Sequence, residues 1–462
     1  MFEAILKKRI KIEGKFLTVI MAVALCLIAG IIRSHTFYLP HNNGDQIFYV
    51  AAAMKLDQNG FAEYNLRGIK VHEEPFYLTM FDMGGEHKGD ILIGQEQNGV
   101  FYYDIPLLHM PPGFPLALMF SHKIFSPSTP YTTVSVDTRN LSKIPGKILE
   151  EFFYSQFYLA IVPFVFSILF IAATFILGRM LFGEKVAFYA AALLAISPIE
   201  ILASQKVWAD TMVSFFVVLA AVLFIASIRR DSLFFAFFAG VSCGIATLAK
   251  MSGIFFLIAV AIFHIWMHRE KRLSWMAFFE FLFDKRVLLF CAGLILTTLP
   301  WFNMVQAVYK SPLYMPHQLG LKDTNYWFKV ISNRPLYTYL VGIPAMVPIY
   351  ILVYPALARG LFKERQNIGE IFLAIWILVY MGLLMTRFGS NIEHRYVLPA
   401  YPAIAILSSK ILFGLESYLN RRFRPPAGGL CAILLITICG IWSVWLGLIH
   451  LFSNAALIRI PF

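Results

Sequence analysis

Continuous apolar stretches recur along this chain, several of them near the roughly 20 residues that a helix needs to cross a bilayer. No other feature restricts its fold as much. Leu17–Ile32, Phe157–Ile176, Met212–Ile228, Ile254–Met267 and Leu430–Leu451 are such runs. Their apolar character is unbroken rather than alternating, so helices with internally satisfied backbones are expected rather than barrel strands. Hydrophobic residues make up 59% of 462 and charged residues 14%, with a mean hydropathy of +0.68. A soluble domain could not hide that much apolar side chain. The expectation is an all-α polytopic membrane protein of about eleven transmembrane helices, at 16–33, 153–177, 186–204, 208–228, 233–250, 253–267, 287–305, 336–356, 368–386, 397–415 and 428–450.

The net charge of +12 would suggest nucleic acid in a soluble protein, but its placement excludes that partner. Lys7, Lys8, Arg9, Lys11 and Lys15 open the chain. Further basic groups occupy every second connection, at Arg179/Lys185, Arg229/Arg230, Arg269/Lys271/Arg272, Lys285/Arg286, Arg359/Lys363/Arg365 and Arg421/Arg422/Arg424. This is the positive-inside pattern, and it sets the N-terminus in the cytoplasm of a cell-membrane protein. The chain then divides into a basic cytoplasmic N-terminus at 1–15, a first helix at 16–33 that reads as a retained signal anchor, and a large extracytoplasmic loop at 34–152. A transmembrane module at 153–305, a second external loop at 306–335 and a C-terminal transmembrane module at 336–462 follow. An odd number of spans leaves the C-terminus outside. Cys26, Cys243, Cys291, Cys431 and Cys439 all lie in apolar runs, so they form no disulfide framework and read as small core residues.

The first external loop carries short elements. Gly44–Gln58 reads as an amphipathic helix along the membrane, with Phe48, Ala51, Ala52 and Leu56 at helical spacing. Asn98-Gly99, between Ile91-Leu92-Ile93 and Val100-Phe101-Tyr102-Tyr103, signals a β-hairpin. Met110-Pro111-Pro112-Gly113-Phe114-Pro115 breaks regular structure. The second loop is rich in Tyr, Trp and Asn.

No Walker A loop, Gly-x-Gly-x-x-Gly, Cys-x-x-Cys or His-Glu-x-x-His motif occurs, which disfavours a nucleotide-driven pump. Polarity instead gathers at the external face. Asp45 stands at the start of the interfacial helix, as an N-cap or as a base accepting a proton from an acceptor hydroxyl. Asp210 stands at the mouth of the fourth span, as a cap, an ion-pair partner of Lys206, or a carboxylate facing a wet cavity. Lys250, Arg387, His394 and Arg395 reach the same face from different spans. Together with Lys206 they read as cations for a lipid phosphate, against the plainer reading of snorkelling side chains.

These segments resemble the GT-C glycosyltransferases, specifically the protein O-mannosyltransferase-like branch that includes the lipid A aminoarabinose transferases. Gly44-Asp45-Gln46-Ile47-Phe48-Tyr49-Val50 is similar to that branch's first external motif, and Pro111-Pro112-Gly113-Phe114-Pro115-Leu116 to its Pro-Pro segment. Leu177–Gly183 resembles its short cytoplasmic turn. Ser197-Pro198 with Ala209-Asp210-Thr211 resembles the connection between its third and fourth spans. Gly244-Ile245-Ala246-Thr247-Leu248-Ala249-Lys250, Leu299-Pro300-Trp301-Phe302 and Arg395-Tyr396-Val397-Leu398-Pro399 complete the set in family order, over about residues 40 to 405.

The resemblance implies a GT-C-like bundle that moves a sugar from a polyprenyl-phosphate donor to an acceptor on the extracytoplasmic face. Asp45 would be the site carboxylate and Asp210 a second acidic residue. Lys250, Arg395, His394, Arg387 and Lys206 would lie toward the donor phosphate, with Tyr49, Glu73, Glu74, His317 and Tyr396 lining the cavity or the acceptor side. No cofactor is required. Many relatives have Asp-Glu where this chain has Asp45-Gln46, and nothing in the spacing of Glu73, Glu74 and His317 demands a divalent metal. The acceptor is left open among a lipid, a glycan and a protein. With no large soluble domain after the last span, the oligosaccharyltransferase branch is disfavoured. A multi-span transporter or flippase is the alternative, but it would be expected to show repeated halves and mid-span polarity.

Overall fold

The computed structural model describes residues 2–34, 45–64, 69–72, 77–81, 87–92, 95–97, 100–103, 110–128, 131, 146–267, 284–309, 337–362, 367–385, 394–423 and 425–453. Helix α1 (Phe2–Ser34) is followed by α2 (Asp45–Asn59) and strands β1 (Ile69–His72), β2 (Tyr77–Phe81), β3 (His87–Leu92), β4 (Gln95–Gln97) and β5 (Val100–Tyr103). Then come α3 (Gly113–Phe125), α4 (Gly146–Phe182), α5 (Glu184–Ala195), α6 (Pro198–Gln205), α7 (Asp210–Arg229), α8 (Leu233–Ala249), α9 (Phe255–Met267) and α10 (Lys285–Tyr309). The chain closes with α11 (Thr338–Met346), α12 (Val353–Phe362), α13 (Ile368–Met385), α14 (Tyr401–Arg422) and α15 (Ala427–Ser453), and a 3-10 segment at His394–Ala400 leads into α14.

The protein is a multi-pass helical membrane protein. Among the described residues five helical stretches are long and apolar enough to cross a bilayer, or six if the bent pair α5–α6 is one span. Four shorter apolar helices lie at Thr18–Ser34, Leu233–Ala249, Met251–Met267 and Ala427–Ser443. Val19, Val23, Leu27 and Ile31, spaced four apart on α1, are all exposed, as are Leu296, Leu430 and Ile441. In a bilayer such an apolar surface faces lipid. Helix α13 buries Phe372, Trp376 and Tyr380 completely.

Small residues set how closely the helices approach. A Cβ added to Gly240 on α8 would come within 1.9 Å of the Phe290 carbonyl oxygen on α10, and one added to Gly293 within 2.2 Å of the Phe237 carbonyl oxygen. The two backbones therefore touch directly, which is how helices gain packing energy in lipid, where no hydrophobic drive exists between them.

The first loop forms a three-stranded sheet ordered β1-β5-β4 and a separate antiparallel pair, β2 with β3. Gln97 faces Val100, so β4 and β5 flank Asn98-Gly99. The preceding apolar pair Ile91-Leu92 belongs instead to β3 and faces Leu78 and Tyr77. The polar Gln95–Gln97, nearest to β5 along the chain, and not Ile91-Leu92, is the partner of β5. Helix α2 also differs from an interfacial amphipathic helix. Val50, Ala51, Ala52 and Ala53 are all fully buried, and four consecutive residues cover every side of a helical turn. The alanines leave room for neighbours to close over this turn.

Candidate functional site

Helix α8 stops at Ala249 and Lys250 turns to extended backbone, with φ −157° and ψ 135°. The turn carries the Lys250 side chain sideways to α7, where Nζ lies 2.7 Å from Asp210 Oδ1. Asp210 is the first residue of α7, where the helix dipole favours an anion. The N-cap position itself is Ala209, with no side-chain cap. Asp210 therefore serves as the buried partner of Lys250, its side chain 3% exposed against 23% for the lysine.

The 3-10 segment brings two more polar groups to the same place. Arg395 Cζ sits 4.0 Å from the centre of the Trp208 ring and 5.2 Å from that of Tyr396. Lys250 Nζ lies 4.3 Å from the same Tyr396 ring. Two cations from distant parts of the chain thus share one aromatic side chain, and the ring's negative face stabilises both. His394, also buried, meets Tyr339 edge-on at 5.8 Å and lies against Gly342, where an added Cβ would come within 2.0 Å of its Cε1.

Lys206 follows α6 in extended backbone, and its carbonyl accepts the Trp208 N–H at 2.7 Å. It lies outside the spans and is partly buried. Desolvation lowers its pKa from 10.5 to about 8, because a charge removed from water is disfavoured.

Asp45 is the first residue of α2, and its side chain lies outside the described residues. The helix itself is placed through α3. Tyr49 packs edge-on against Phe114 at 4.9 Å, and a Cβ on Gly113 would meet the Leu248 carbonyl at 2.7 Å. The Pro111-Pro112-Gly113 segment is therefore seated on the last turn of α8, two residues from Lys250. Beside it an apolar cleft of about 490 Å³ is lined by Phe61, Pro112, Leu116, Leu248, Pro300 and Trp301, among others. Glu73, Glu74, His317 and Arg387 lie outside the described residues. Among the described residues no three His, Cys, Asp or Glu side chains group as metal ligands.

Residues 149–301 match the family model described as dolichyl-phosphate-mannose-protein mannosyltransferase. No curated protein sequence matches the chain. Among solved structures, the oligosaccharyltransferase AglB of Archaeoglobus fulgidus, in complex with an inhibitory peptide and a dolichol-phosphate, superposes with a TM-score of 0.57 at 12% identity. The match covers 94% of this chain and 56% of that one. ArnT of Cupriavidus metallidurans bound to undecaprenyl phosphate gives 0.54 at 13% identity, covering 96% of this chain and 73% of ArnT. The fold is that of the GT-C glycosyltransferases. This chain thus spans little more than half of the archaeal enzyme and about three quarters of ArnT.

Within the GT-C frame, the structure brings together Asp210, Lys250, Arg395, His394 and Tyr396. Sequence reasoning missed Trp208, the platform under Arg395. A tryptophan two residues before an acidic residue at a span mouth was the available signal. It also missed the pair Arg33–Glu200, in which both charges are buried.

Proposed function

We propose that this chain is a membrane glycosyltransferase that moves a sugar from a polyprenyl-phosphate-sugar donor to an acceptor hydroxyl or phosphate on the extracytoplasmic face. The observation that supports this reading is the convergence of Lys250 and Arg395 on the Tyr396 ring, with Asp210 and Trp208 holding them from below. Such a group offers directed N–H donors and positive charge to a phosphate. The polyprenyl-phosphate ligands of AglB and ArnT are of the same chemical class. Charge supports that orientation. The basic connections Arg179/Lys185, Arg229/Arg230 and Lys285/Arg286 lie at the other ends of α4, α7 and α10 from the site, and the positive-inside pattern then favours the site end outside.

In the transfer, the acceptor oxygen attacks the anomeric carbon and the bond from that carbon to the phosphate oxygen breaks. The electron pair leaves with the lipid monophosphate. Lys250 and Arg395 grip that phosphate in the bound donor and in the transition state alike, and such uniform binding shows in the donor KM. A hydroxyl acceptor releases its proton to a base. Asp45, at the start of α2, is assigned that role.

The test uses purified protein in nanodiscs with radiolabelled polyprenyl-phosphate sugars and compares the native chain with Asp45→Asn and Lys250→Met. The expected result is label transfer by the native chain, a loss of about 100-fold or more in kcat for the Asn variant, and a rise in donor KM for the Met variant. Equal turnover in native protein and Asp45→Asn removes Asp45 from the chemistry. Absence of both transfer and polyprenyl-phosphate binding in native protein overturns the reading.

A further inference from the structure

Two opposite charges are buried where α1, α4, α5 and α6 meet. Arg33 is 1% exposed, and Glu200 and Ser167 are fully enclosed. The Arg33 guanidinium donates to Ser167 Oγ at 2.8 Å through Nε, to the Ala29 carbonyl at 2.9 Å through Nη1, and to the Ala195 carbonyl at 3.1 Å through Nη2. Nη2 also pairs with Glu200, whose second oxygen accepts from Ser167. This is costly chemistry for a site shut away from water. Replacing a buried ion pair by apolar side chains of similar size is often neutral or stabilising, so stability alone is a weak reason for its presence.

Its location supplies a reason. Helix α5 ends at Ala195, Pro198 opens α6, and the two helix axes bend by 59°. The break leaves carbonyls at the end of α5 without helical partners. Arg33 takes up one of them at Ala195 and at the same time binds Glu200 in the first turn of α6, so one guanidinium straddles the hinge and fixes its angle. Helix α6 packs on the 3-10 segment that bears Arg395 and runs into Lys206 and Trp208, the platform under that arginine. With eight residues, α6 is about 12 Å long. A hinge change of roughly 5° would move its far end by about 1 Å, and displacements of that size cost up to about 100-fold in function.

We propose that Arg33 and Glu200 are positioning residues: their pair sets the α5–α6 angle and so seats Trp208 under Arg395 for the anionic end of the donor. The inference rests on the donor reading above for its functional consequence, but not for its structural one.

The experiment compares native protein with Glu200→Gln and with the double variant Arg33→Leu/Glu200→Leu, which removes both charges and leaves no lone buried ion. Three quantities are measured: thermal midpoint, steady-state kinetics and hydrogen–deuterium exchange. For the double variant the expected results are a midpoint within a few degrees of native and a donor KM raised about tenfold. Its kcat stays within twofold, because a grip made equally in ground and transition states alters KM alone. Exchange rises over residues 205–211 and 394–397. A folded double variant with native exchange there and native donor KM overturns the proposal. A lowered midpoint with falling kcat and constant KM also overturns it, since that is the signature of a merely structural pair. Exchange is read without catalysis, so raised exchange in the double variant, with no polyprenyl-phosphate binding by native protein, overturns only the donor reading.

Discussion

The Lys250 ammonium meets the Asp210 carboxylate at 2.7 Å across the ends of two helices, and the two partners differ in exposure, 23% for the lysine against 3% for the aspartate. The difference makes their loss unequal. Lys250→Met strands a buried carboxylate and is expected to cost about 3–5 kcal/mol. Asp210→Asn leaves a lysine that can reach water and costs about 1–2 kcal/mol. The double variant should recover most of the stability of Lys250→Met and none of its donor binding. Thermal midpoints with donor titrations on the three proteins check this order.

Arg395 is held by ring faces at 4.0 and 5.2 Å, so the planar guanidinium matters as well as its charge. Arg395→Lys keeps the charge and loses the stacking. It is expected to raise donor KM about tenfold, in line with about 0.5–2 kcal/mol for a cation–π contact. Trp208→Leu should produce a similar rise, and the two changes combined should fall short of additive because they remove one contact. Steady-state kinetics on the cycle measure the coupling.

Lys206 titrates near 8 in the folded protein rather than at 10.5. If its ammonium assists donor binding, affinity is full below about pH 7 and declines as the pH rises through 8, when the charge is lost. Lys206→Arg keeps its charge above pH 12 and should abolish that decline. A donor-binding curve from pH 6.5 to 9.5 on both proteins decides it, and superposable curves would remove Lys206 from the site.

The contact between Gly342 and His394 allows a controlled pair of substitutions. An alanine methyl at 342 would overlap the imidazole. Gly342→Ala is therefore expected to cost about 1–3 kcal/mol and to weaken donor binding through the adjacent Arg395. Gly382 sits on α13 with nothing within 4 Å of an added Cβ. Gly382→Ala should be neutral or stabilise by about 0.5–1 kcal/mol, with unchanged kinetics.

The helical class and the membrane setting were legible because bilayer thickness imposes one length on every span. The cluster around Lys250 was legible in part, since Asp210, Lys250 and Arg395 each stand at the end of an apolar run where a charge is conspicuous. Their mutual distances were not legible, because Arg395 reaches the other two through the 3-10 segment, and no local periodicity encodes that approach. Arg33 and Glu200 were harder still. They lie 167 positions apart and read singly as a flank of the first span and a polar residue at a break. Burial of the Val50–Ala53 turn of α2 on all sides was missed because three alanines in a row look weakly apolar on a helical wheel, while their small size is what allows neighbours to close over them.

The glycine contacts between α8 and α10 carry a consequence for which substitutions this protein can accept. With carbonyl oxygens 1.9 and 2.2 Å from where a Cβ would stand, positions 240 and 293 admit hydrogen alone. A saturation library screened for correctly folded protein should show two columns in which every replacement, alanine included, is depleted. A few residues away, lipid-facing Leu296 (65% exposed) should accept almost any apolar side chain. Because α8 delivers Lys250 from its last turn, those two columns would map a seam along which the pair must slide or tilt as one piece, so any route for a lipid into the site has to open along some other pair of helices.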